Sequence, residues 1–259
     1  MKNTNSKKIK ALSFNDSNDV IESLYKKYLF KPEPGSTGFD FKGLLNDKLI
    51  GKGCIVSSFG VESAVALHYC LNLNPNLKVV FIDTKRHFQE THEYKDQLKE
   101  ILQFDLITVS PNDFDLNKED KNNDLFRKNP DACCEIRKTL PLREALKNFD
   151  FWVSGRKRYQ SSFRSTLSIM ERDNSLLKIN PMAMWSEEEV KDYRLLHNLP
   201  DHPLYEKNYL SIGCECCTRP VKDGEDARAG RWDHIPKKTE CGIHFSESGK
   251  IVRNKIEKD

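Results

Sequence analysis

The middle of the chain alternates short strand-like runs with amphipathic stretches, and this alternation limits the possible folds more than any other feature of the sequence. Strands are predicted at GCIVSS (53–58), LKVVFID (77–83), DLITVS (105–110) and FWVSG (151–155). Apolar residues at helical spacing predict helices over 61–73 and 88–102 and near 142–146. The resulting β-α-β-α-β order predicts an α/β domain with a mainly parallel sheet and flanking helices.

Weaker patterns lie on either side of these segments. Apolar residues between 20 and 29 predict one helix before the turn at 32–35. A second helix is predicted after Ser186, which forms a capping box with Glu189. The apolar face of that helix is predicted to consist of Val190, Tyr193, Leu196 and Leu199.

The remaining segments are predicted to be irregular. The polar stretch 112–123 is typical of a surface loop, the chain beyond Pro200 is rich in loop-forming residues, and the last fifteen residues resemble a solvated tail. We therefore expect an N-terminal helical extension over 1–50, an α/β domain over 51–236, and a mobile C-terminal segment over 237–259.

Composition excludes several classes of protein. The 42 Lys and Arg residues against 39 Asp and Glu residues leave a net charge of only +3, which is weak for a protein that binds nucleic acid through phosphate neutralisation. No apolar run approaches the ~20 residues of a membrane-spanning helix, and no apolar stretch follows the basic N-terminus as in a secretory signal. We expect a cytoplasmic protein that binds neither nucleic acid nor membrane.

The eight cysteines are unevenly distributed. Cys54 and Cys70 lie in apolar segments and are predicted to be core thiols. The others are an adjacent pair, a close group and a single residue, namely Cys133, Cys134, Cys214, Cys216, Cys217 and Cys241. In a chain without a secretory signal, such groups indicate metal or redox chemistry rather than disulfides.

Cys133 and Cys134, together with the C-x-x-C pair of Cys214 and Cys217, offer four thiolates. Four thiolates suffice for an iron–sulfur cluster or a structural zinc ion. An adjacent pair is unusual in zinc knuckles, because consecutive side chains normally diverge. Arg137 and Lys138 place positive charge close to the first pair, which suits an electronically active cofactor better than a structural metal. Iron–sulfur is favoured, and zinc stays open.

Three polar segments follow predicted strands and are expected at one edge of the sheet, where α/β proteins bind ligands. They are SSFGVES (57–63), the segment after Ile82, and SGRKRYQSSFR (154–164). The first lacks the lysine of a Walker A loop and the three glycines of a dinucleotide fingerprint. The third contains four basic residues and no carboxylate, so an anionic ligand with a phosphate or sulfate group is predicted.

Cys241 stands alone near the C-terminus. Lys237, Lys238 and His244 lie close to it in sequence, and such cations lower the pKa of a thiol. Cys241 is a candidate nucleophile if its segment folds over the anion site.

Together these motifs resemble the adenylyl-sulfate and phosphoadenylyl-sulfate reductase family over about residues 50–245. The resemblance rests on SSFGVES, IDTKRHFQET (82–91), CCEIRKTLPL (133–142), VSGRKRYQSSFR (153–164), GCECCTRPV (213–221), RAGRW (228–232) and ECGIH (240–244), in that order. The cysteine pairs resemble the cluster-bearing branch, which reduces adenylyl sulfate. The branch that reduces the 3′-phosphorylated substrate lacks those pairs.

The resemblance implies a fold, a site and a cofactor. The fold would be adenine-nucleotide α-hydrolase-like (PP-loop), with a C-terminal catalytic tail. The implied substrate-binding residues are Ser57, Ser58, Phe59, Gly60, Glu62, Ser63, Asp83, Thr84, Lys138, Gly155, Arg164, Arg228, Arg231 and His244. A 4Fe–4S cluster would be bound by Cys133, Cys134, Cys214 and Cys217.

The implied reaction is the thioredoxin- or glutaredoxin-dependent reduction of adenylyl sulfate to sulfite and AMP. Cys241 would be the nucleophile and would form an S-sulfocysteine. A homo-oligomer is also expected.

Several alternatives stay open. In one alternative the enzyme reduces 3′-phosphorylated adenylyl sulfate, either instead of adenylyl sulfate or in addition to it. In others the chain is an iron–sulfur PP-loop enzyme that transfers sulfur to tRNA, or a zinc-binding nucleotide-dependent regulator without catalysis. Cys216 stands where many relatives carry proline, so it is an alternative ligand to Cys217.

Overall fold

The computed structural model describes residues 17–30, 38–173, 176–235, 238 and 240. Within this part of the chain, six strands form one sheet in the order β3-β2-β1-β4-β6-β5. The strands are β1 (Gly53–Ser57), β2 (Lys78–Ile82), β3 (Leu106–Val109), β4 (Phe151–Ser154), β5 (Met170–Asp173) and β6 (Leu176–Ile179). All neighbours pair in parallel except β5 and β6, which are antiparallel. The predicted α/β class with a mainly parallel sheet is confirmed.

The central strands are buried on both faces. Ile55, Phe81 and Val153 belong to one apolar cluster, whereas Cys54 and Trp152 belong to another on the opposite face. Alternate residues of a strand point to opposite faces, so helices on both sides of the sheet are needed to bury them. The prediction that Cys54 is a core thiol is therefore confirmed, and Cys70 is buried as well.

Helices cover both faces of this sheet. They are α1 (Ser17–Tyr28), α2 (Phe41–Leu45), α3 (Ser63–Leu73), α4 (Gln89–Leu102), α5 (Asp113–Glu119), α6 (Leu125–Lys128), α7 (Pro130–Cys134), α8 (Leu140–Leu146) and α9 (Glu187–Leu196). A π-helical turn, Glu135–Thr139, joins α7 to α8. Leu24 of α1 and Leu44 of α2 pack into the same apolar cluster as β1. In the described part of the chain, every helix is too short or too polar to cross a membrane.

The prediction of a loop over 112–123 is wrong, because α5 lies within it. The Asn112 side chain accepts a hydrogen bond from the backbone N–H of Phe114 at 2.8 Å and so caps the helix. None of the α5 residues is buried. Without a buried face, this helix leaves no apolar period in the sequence.

The capping box before α9 is confirmed. Ser186 Oγ accepts from the Glu189 N–H at 3.1 Å, and the Glu189 carboxylate accepts from the Ser186 N–H at 2.6 Å. The predicted apolar face is only partly correct, since the Leu196 residue is 74% exposed. The helix ends there, and Asn198 adopts a left-handed φ of 49° that turns the buried Leu199 back to the core.

Candidate active site

The loops after β1, β2 and β4 meet at one edge of the sheet. β1 lies between β2 and β4, so the chain adds strands first on one side of β1 and then on the other. Such a reversal leaves a crevice beside the carboxyl end of the central strand, where open α/β sheets bind their ligands. The loops at 57–63 and 155–164 form the two sides of this crevice.

The loop at 57–63 is fixed by contacts of its own residues. The Phe59 ring is fully buried against Phe81, with ring centroids 5.3 Å apart, so only the backbone of Phe59 is left for a ligand. Ser57 Oγ accepts from the Phe59 N–H at 3.2 Å, whereas Ser58 is exposed. The Ser63 N–H donates to the Gly60 carbonyl at 3.0 Å and begins α3. The N-terminal amides of α3 thus face the crevice, where they favour an anion.

Glu62 ties the two sides of the crevice together. Its carboxylate accepts from Lys157 Nζ at 2.6 Å, from Tyr159 OH at 2.5 Å and from Gln160 Nε2 at 2.6 Å. Burial raises the pKa of Glu62, but the charge of Lys157 and these hydrogen bonds outweigh that effect and lower it below its usual range. With three donors on its carboxylate, Glu62 positions the loop at 155–164. Gly155 packs there so close to Ala66 that a Cβ would lie 2.7 Å from that methyl group.

Asp83 and Thr84 follow β2 and lead from the crevice to the cysteines. Asp83 Oδ1 accepts from the Lys85 N–H at 2.9 Å and lies 3.7 Å from His87 Nδ1. The nearby His87 imidazole and the hydrogen bond from the Lys85 N–H lower the pKa of Asp83 to about 2. Thr84 is buried, and its Oγ1 lies 3.3 Å from Cys214 Sγ.

All the predicted cluster ligands line one cavity. Its walls are Arg86, Phe126, Pro130, Cys133, Cys134, Arg137, Lys138, Cys214, Cys216, Cys217 and Trp232, and we call it the cysteine cavity. The first cysteine pair ends α7, just before the π-helical turn. All of these cysteines are free thiols, and all but Cys216 are buried. Lys138, expected at the sulfate end of the substrate, lies at this cavity.

The cysteine sulfurs of the described residues do not form a close group of three. Among the described residues, no three cysteine sulfurs lie within 4.8 Å of one another, although Asp83, His87 and His92 do bring three ligand atoms that close. Four thiolates around a single tetrahedral zinc ion would lie about 3.8 Å apart. Burial raises the pKa of the Cys133 thiol to about 12, so the thiolate form needs the positive charge of a metal or of nearby cations.

The arginines that line the cysteine cavity belong to a network of buried hydrogen bonds and ion pairs. Arg137 donates to Asp120 Oδ2 at 2.6 Å and to the Thr84 carbonyl at 3.0 Å, while Arg86 donates to the Asn123 carbonyl at 2.7 Å. The Nε atoms of Arg86 and Arg137 are buried and, within the described residues, have no hydrogen-bond partner. Two such donors beside the cavity indicate that it accepts a group rich in hydrogen-bond acceptors.

Arginines gather between the cysteine cavity and the crevice. Arg164 and Arg228 both contact the carboxylate of Glu240, at 2.7 Å and 3.6 Å. Arg231 stacks on the Trp232 ring, 4.4 Å from its centroid, and donates to the Ile212 carbonyl at 3.0 Å. That carbonyl lies 3.5 Å from the position of a Cβ at Gly60, so Arg231 borders the loop at 57–63. Cys241 and His244 lie outside the described residues.

Comparison with known proteins identifies the family. Residues 53–220 match the phosphoadenosine phosphosulfate reductase domain. The chain belongs to this family. An adenosine 5′-phosphosulfate reductase of Chelativorans sp. is 44% identical over 191 residues, which cover 73% of this chain and 78% of the relative. One of Halalkalibacterium halodurans is 38% identical over 241 residues, which cover 90% and 94%.

A solved structure agrees on the fold of this reductase family. The phosphoadenylyl-sulfate reductase of Candida auris superimposes with a TM-score of 0.63 at 22% identity, over 79% of this chain and 98% of that one. At this identity the likeness concerns the fold alone.

Some residues of this reductase family site are missed by sequence reasoning. Asp120 lies in the stretch interpreted as a loop, and no local pattern marks it as a buried partner of Arg137. Glu240 was missed as well, although its position beside Cys241 in ECGIH is a signal that could have suggested a role.

Proposed function

We propose that this chain reduces adenylyl sulfate to sulfite and AMP, with Cys241 as the nucleophile and thioredoxin or glutaredoxin as the reductant. The observation that carries the proposal is the position of the cysteine cavity, which adjoins an anion-binding crevice through Thr84 and Arg137. Relatives at 44% and 38% identity named adenosine 5′-phosphosulfate reductase support the same substrate.

The two halves of the substrate need different surroundings, and the crevice offers both. The nucleotide half would lie over the loop at 57–63, where backbone amides of α3 face its phosphate. The phosphosulfate would extend toward Arg164, Arg228 and Arg231, since guanidinium groups match the geometry of oxyanions. Asp83 and Thr84 would contact the nucleotide, and Lys138 would approach the sulfate from the cysteine cavity.

We propose that Cys133, Cys134, Cys214 and Cys217 bind a 4Fe–4S cluster. When bound, the cluster would supply charge near the sulfate end of the substrate and so tune its electrostatics. The protein's contribution is to keep four thiols and the donors of Arg86 and Arg137 around one cavity.

The proposed reaction proceeds in two displacements. The Cys241 thiolate attacks the sulfur of the sulfonyl group, the S–O bond to the phosphate breaks, and AMP leaves. A thiolate of the reductant then attacks Cys241 Sγ, which releases sulfite and leaves a mixed disulfide. The second thiol of the reductant resolves that disulfide, so the dithiol is oxidised by two electrons. The arginines are needed because a thiolate and a polyanion repel each other.

Thiol reductants operate where thiols stay reduced, so we place the reaction in the cytoplasm. We also propose that residues 237–259 carry the nucleophile to a site formed by residues 51–236, and that the enzyme is a homo-oligomer.

The S-sulfocysteine provides a direct test. Protein incubated with adenylyl sulfate without reductant is expected to gain the mass of one SO₃ group on the peptide that contains Cys241. Cys241→Ser should gain none while keeping its iron and its affinity for AMP. An adduct on another cysteine, or sulfite release by the serine variant, would contradict the assignment.

A further inference from the structure

Glu240, the residue before Cys241, already occupies the arginines that the substrate is proposed to use. Its carboxylate forms a two-point contact with Arg164, in which Nε donates to Oε1 at 2.7 Å and Nη2 donates to Oε2 at 2.8 Å. Arg228 Nη2 lies 3.6 Å from Oε1. The side chains of Arg164 and Glu240 are each only 10% exposed, so this is a buried ion pair.

Glu240 and Gln160 together accept from all three guanidinium nitrogens of Arg164. Nη1 donates to Gln160 Oε1 at 2.5 Å, and Gln160 Nε2 donates to Glu62 Oε2 at 2.6 Å. The guanidinium is therefore fixed in orientation by the two sides of the crevice. A phosphate or sulfate that binds Arg164 through two parallel hydrogen bonds needs the edge that Glu240 covers.

The charge of Glu240 matches that of a substrate oxyanion. Burial raises the pKa of Glu240, but the hydrogen bond from Arg164 and the charges of Arg164, Arg228 and Arg156 outweigh burial and lower it below its usual range. The side chain is thus a carboxylate at neutral pH.

We propose that Glu240 is an internal competitor for the anion site, which holds Arg164 and Arg228 until the phosphosulfate of the substrate displaces it. The inference rests on the proposed function for the identity of the substrate. Its consequence is that substrate binding releases Glu240, the residue next to Cys241 in the sequence.

A second attachment keeps the released segment near the site. The Lys238 ammonium pairs with Asp131 of α7 and lies 5.9 Å from the centroid of the Trp232 ring, beside the cysteine cavity. Cys241 is three residues beyond Lys238, a span of at most about 10 Å of extended chain. Displacement of Glu240 therefore leaves the chain attached through Lys238 beside the cysteine cavity.

Calorimetric titration of adenylyl sulfate into the Cys241→Ser protein tests the proposal, because this background cannot turn over the ligand. Glu240→Gln keeps the size of the side chain and removes its charge, and we expect adenylyl sulfate to bind about tenfold more tightly, since a tethered, charge-assisted competitor is lost. Glu240→Ala should tighten binding as well.

Glu225→Gln is the matched control. Its carboxylate also pairs with an arginine, Arg219 at 2.8 Å, but away from the crevice, so affinity should not change. Unchanged or weaker binding in both Glu240 variants would overturn the proposal and make Glu240 a structural anchor. If the background protein binds AMP but not adenylyl sulfate, the proposed function fails instead, and the same variants titrated with AMP still decide the role of Glu240.

Discussion

Individual side chains connect the crevice with the cysteine cavity, two regions formed by separate segments of the sequence. Thr84 follows β2 at the crevice, yet its hydroxyl contacts Cys214 and its carbonyl accepts from Arg137. Cys216 and Cys217 are similarly linked, with sulfurs 3.8 Å apart. The hydrogen bond between them lowers the pKa of Cys216 and raises that of Cys217, because the S–H of Cys217 stabilises a thiolate at Cys216. Both line the cavity, so their roles need a direct comparison.

We expect Cys217→Ser to lose most of the iron and acid-labile sulfide of the anaerobically purified protein, and Cys216→Ser to retain both. The reason is that Cys217 is buried with the other three proposed ligands and completes the C-x-x-C spacing with Cys214, whereas Cys216 is partly exposed. Metal analysis of the two serine variants beside the unsubstituted protein is the measurement. Iron loss in the Cys216 variant alone would reverse the assignment, and zinc in place of iron would favour a structural metal.

Strands and helices were predictable where a buried face places apolar residues at regular intervals in the sequence. β1 to β4, α3, α4 and the capped α9 each carry an apolar pattern that their packing requires. β5, at the edge of the sheet, and β6, between β4 and β5, were not predicted, because charged residues interrupt their apolar patterns. In the folded chain Lys178 pairs with Glu171 at 3.0 Å, and Asp173 accepts from Trp152 Nε1 at 3.1 Å.

Asp173, at the end of the edge strand β5, makes a pH-dependent contribution to stability. Burial raises the pKa of Asp173 to about 6 from its ordinary 3.8, although Lys178 and the Trp152 N–H act in the opposite direction. The folded state therefore keeps the Asp173 proton after the unfolded state has lost it, so this contribution to stability falls as pH rises from about 4 to 6. Asp173→Asn removes the effect, and Lys178 still pairs with Glu171 at 3.0 Å.

We compare the free energy of unfolding of Asp173→Asn with that of the unsubstituted protein. The advantage of the variant should be about 2 kcal/mol larger at pH 7 than at pH 4. Urea unfolding at both pH values measures the difference. Asp105→Asn is the control, because the exposed Asp105 has its pKa lowered by Lys78 and should show no such gain. If the difference in free energy of unfolding between Asp173→Asn and the unsubstituted protein is the same at both pH values, the raised pKa is contradicted.

At the scale of the whole molecule, the strand order makes the site. Because β1 stands between β2 and β4, segments about a hundred residues apart in sequence, such as 57–63 and 155–164, face each other across one crevice. Motif spacing predicts that these segments meet and which cysteines gather. It does not predict the links between them, such as Glu62 with Lys157 or Glu240 with Arg164, because those links depend on side-chain directions set by tertiary packing.

The central claim is that the cysteine cavity and the arginine-lined crevice serve one reductase reaction on adenylyl sulfate. The most direct measurement is thioredoxin-dependent sulfite release by the anaerobically purified protein, with adenylyl sulfate and its 3′-phosphorylated form compared side by side. We predict strong preference for adenylyl sulfate. Equal or faster turnover of the 3′-phosphorylated form would contradict the substrate assignment, and sulfite release from neither would contradict the reductase function itself.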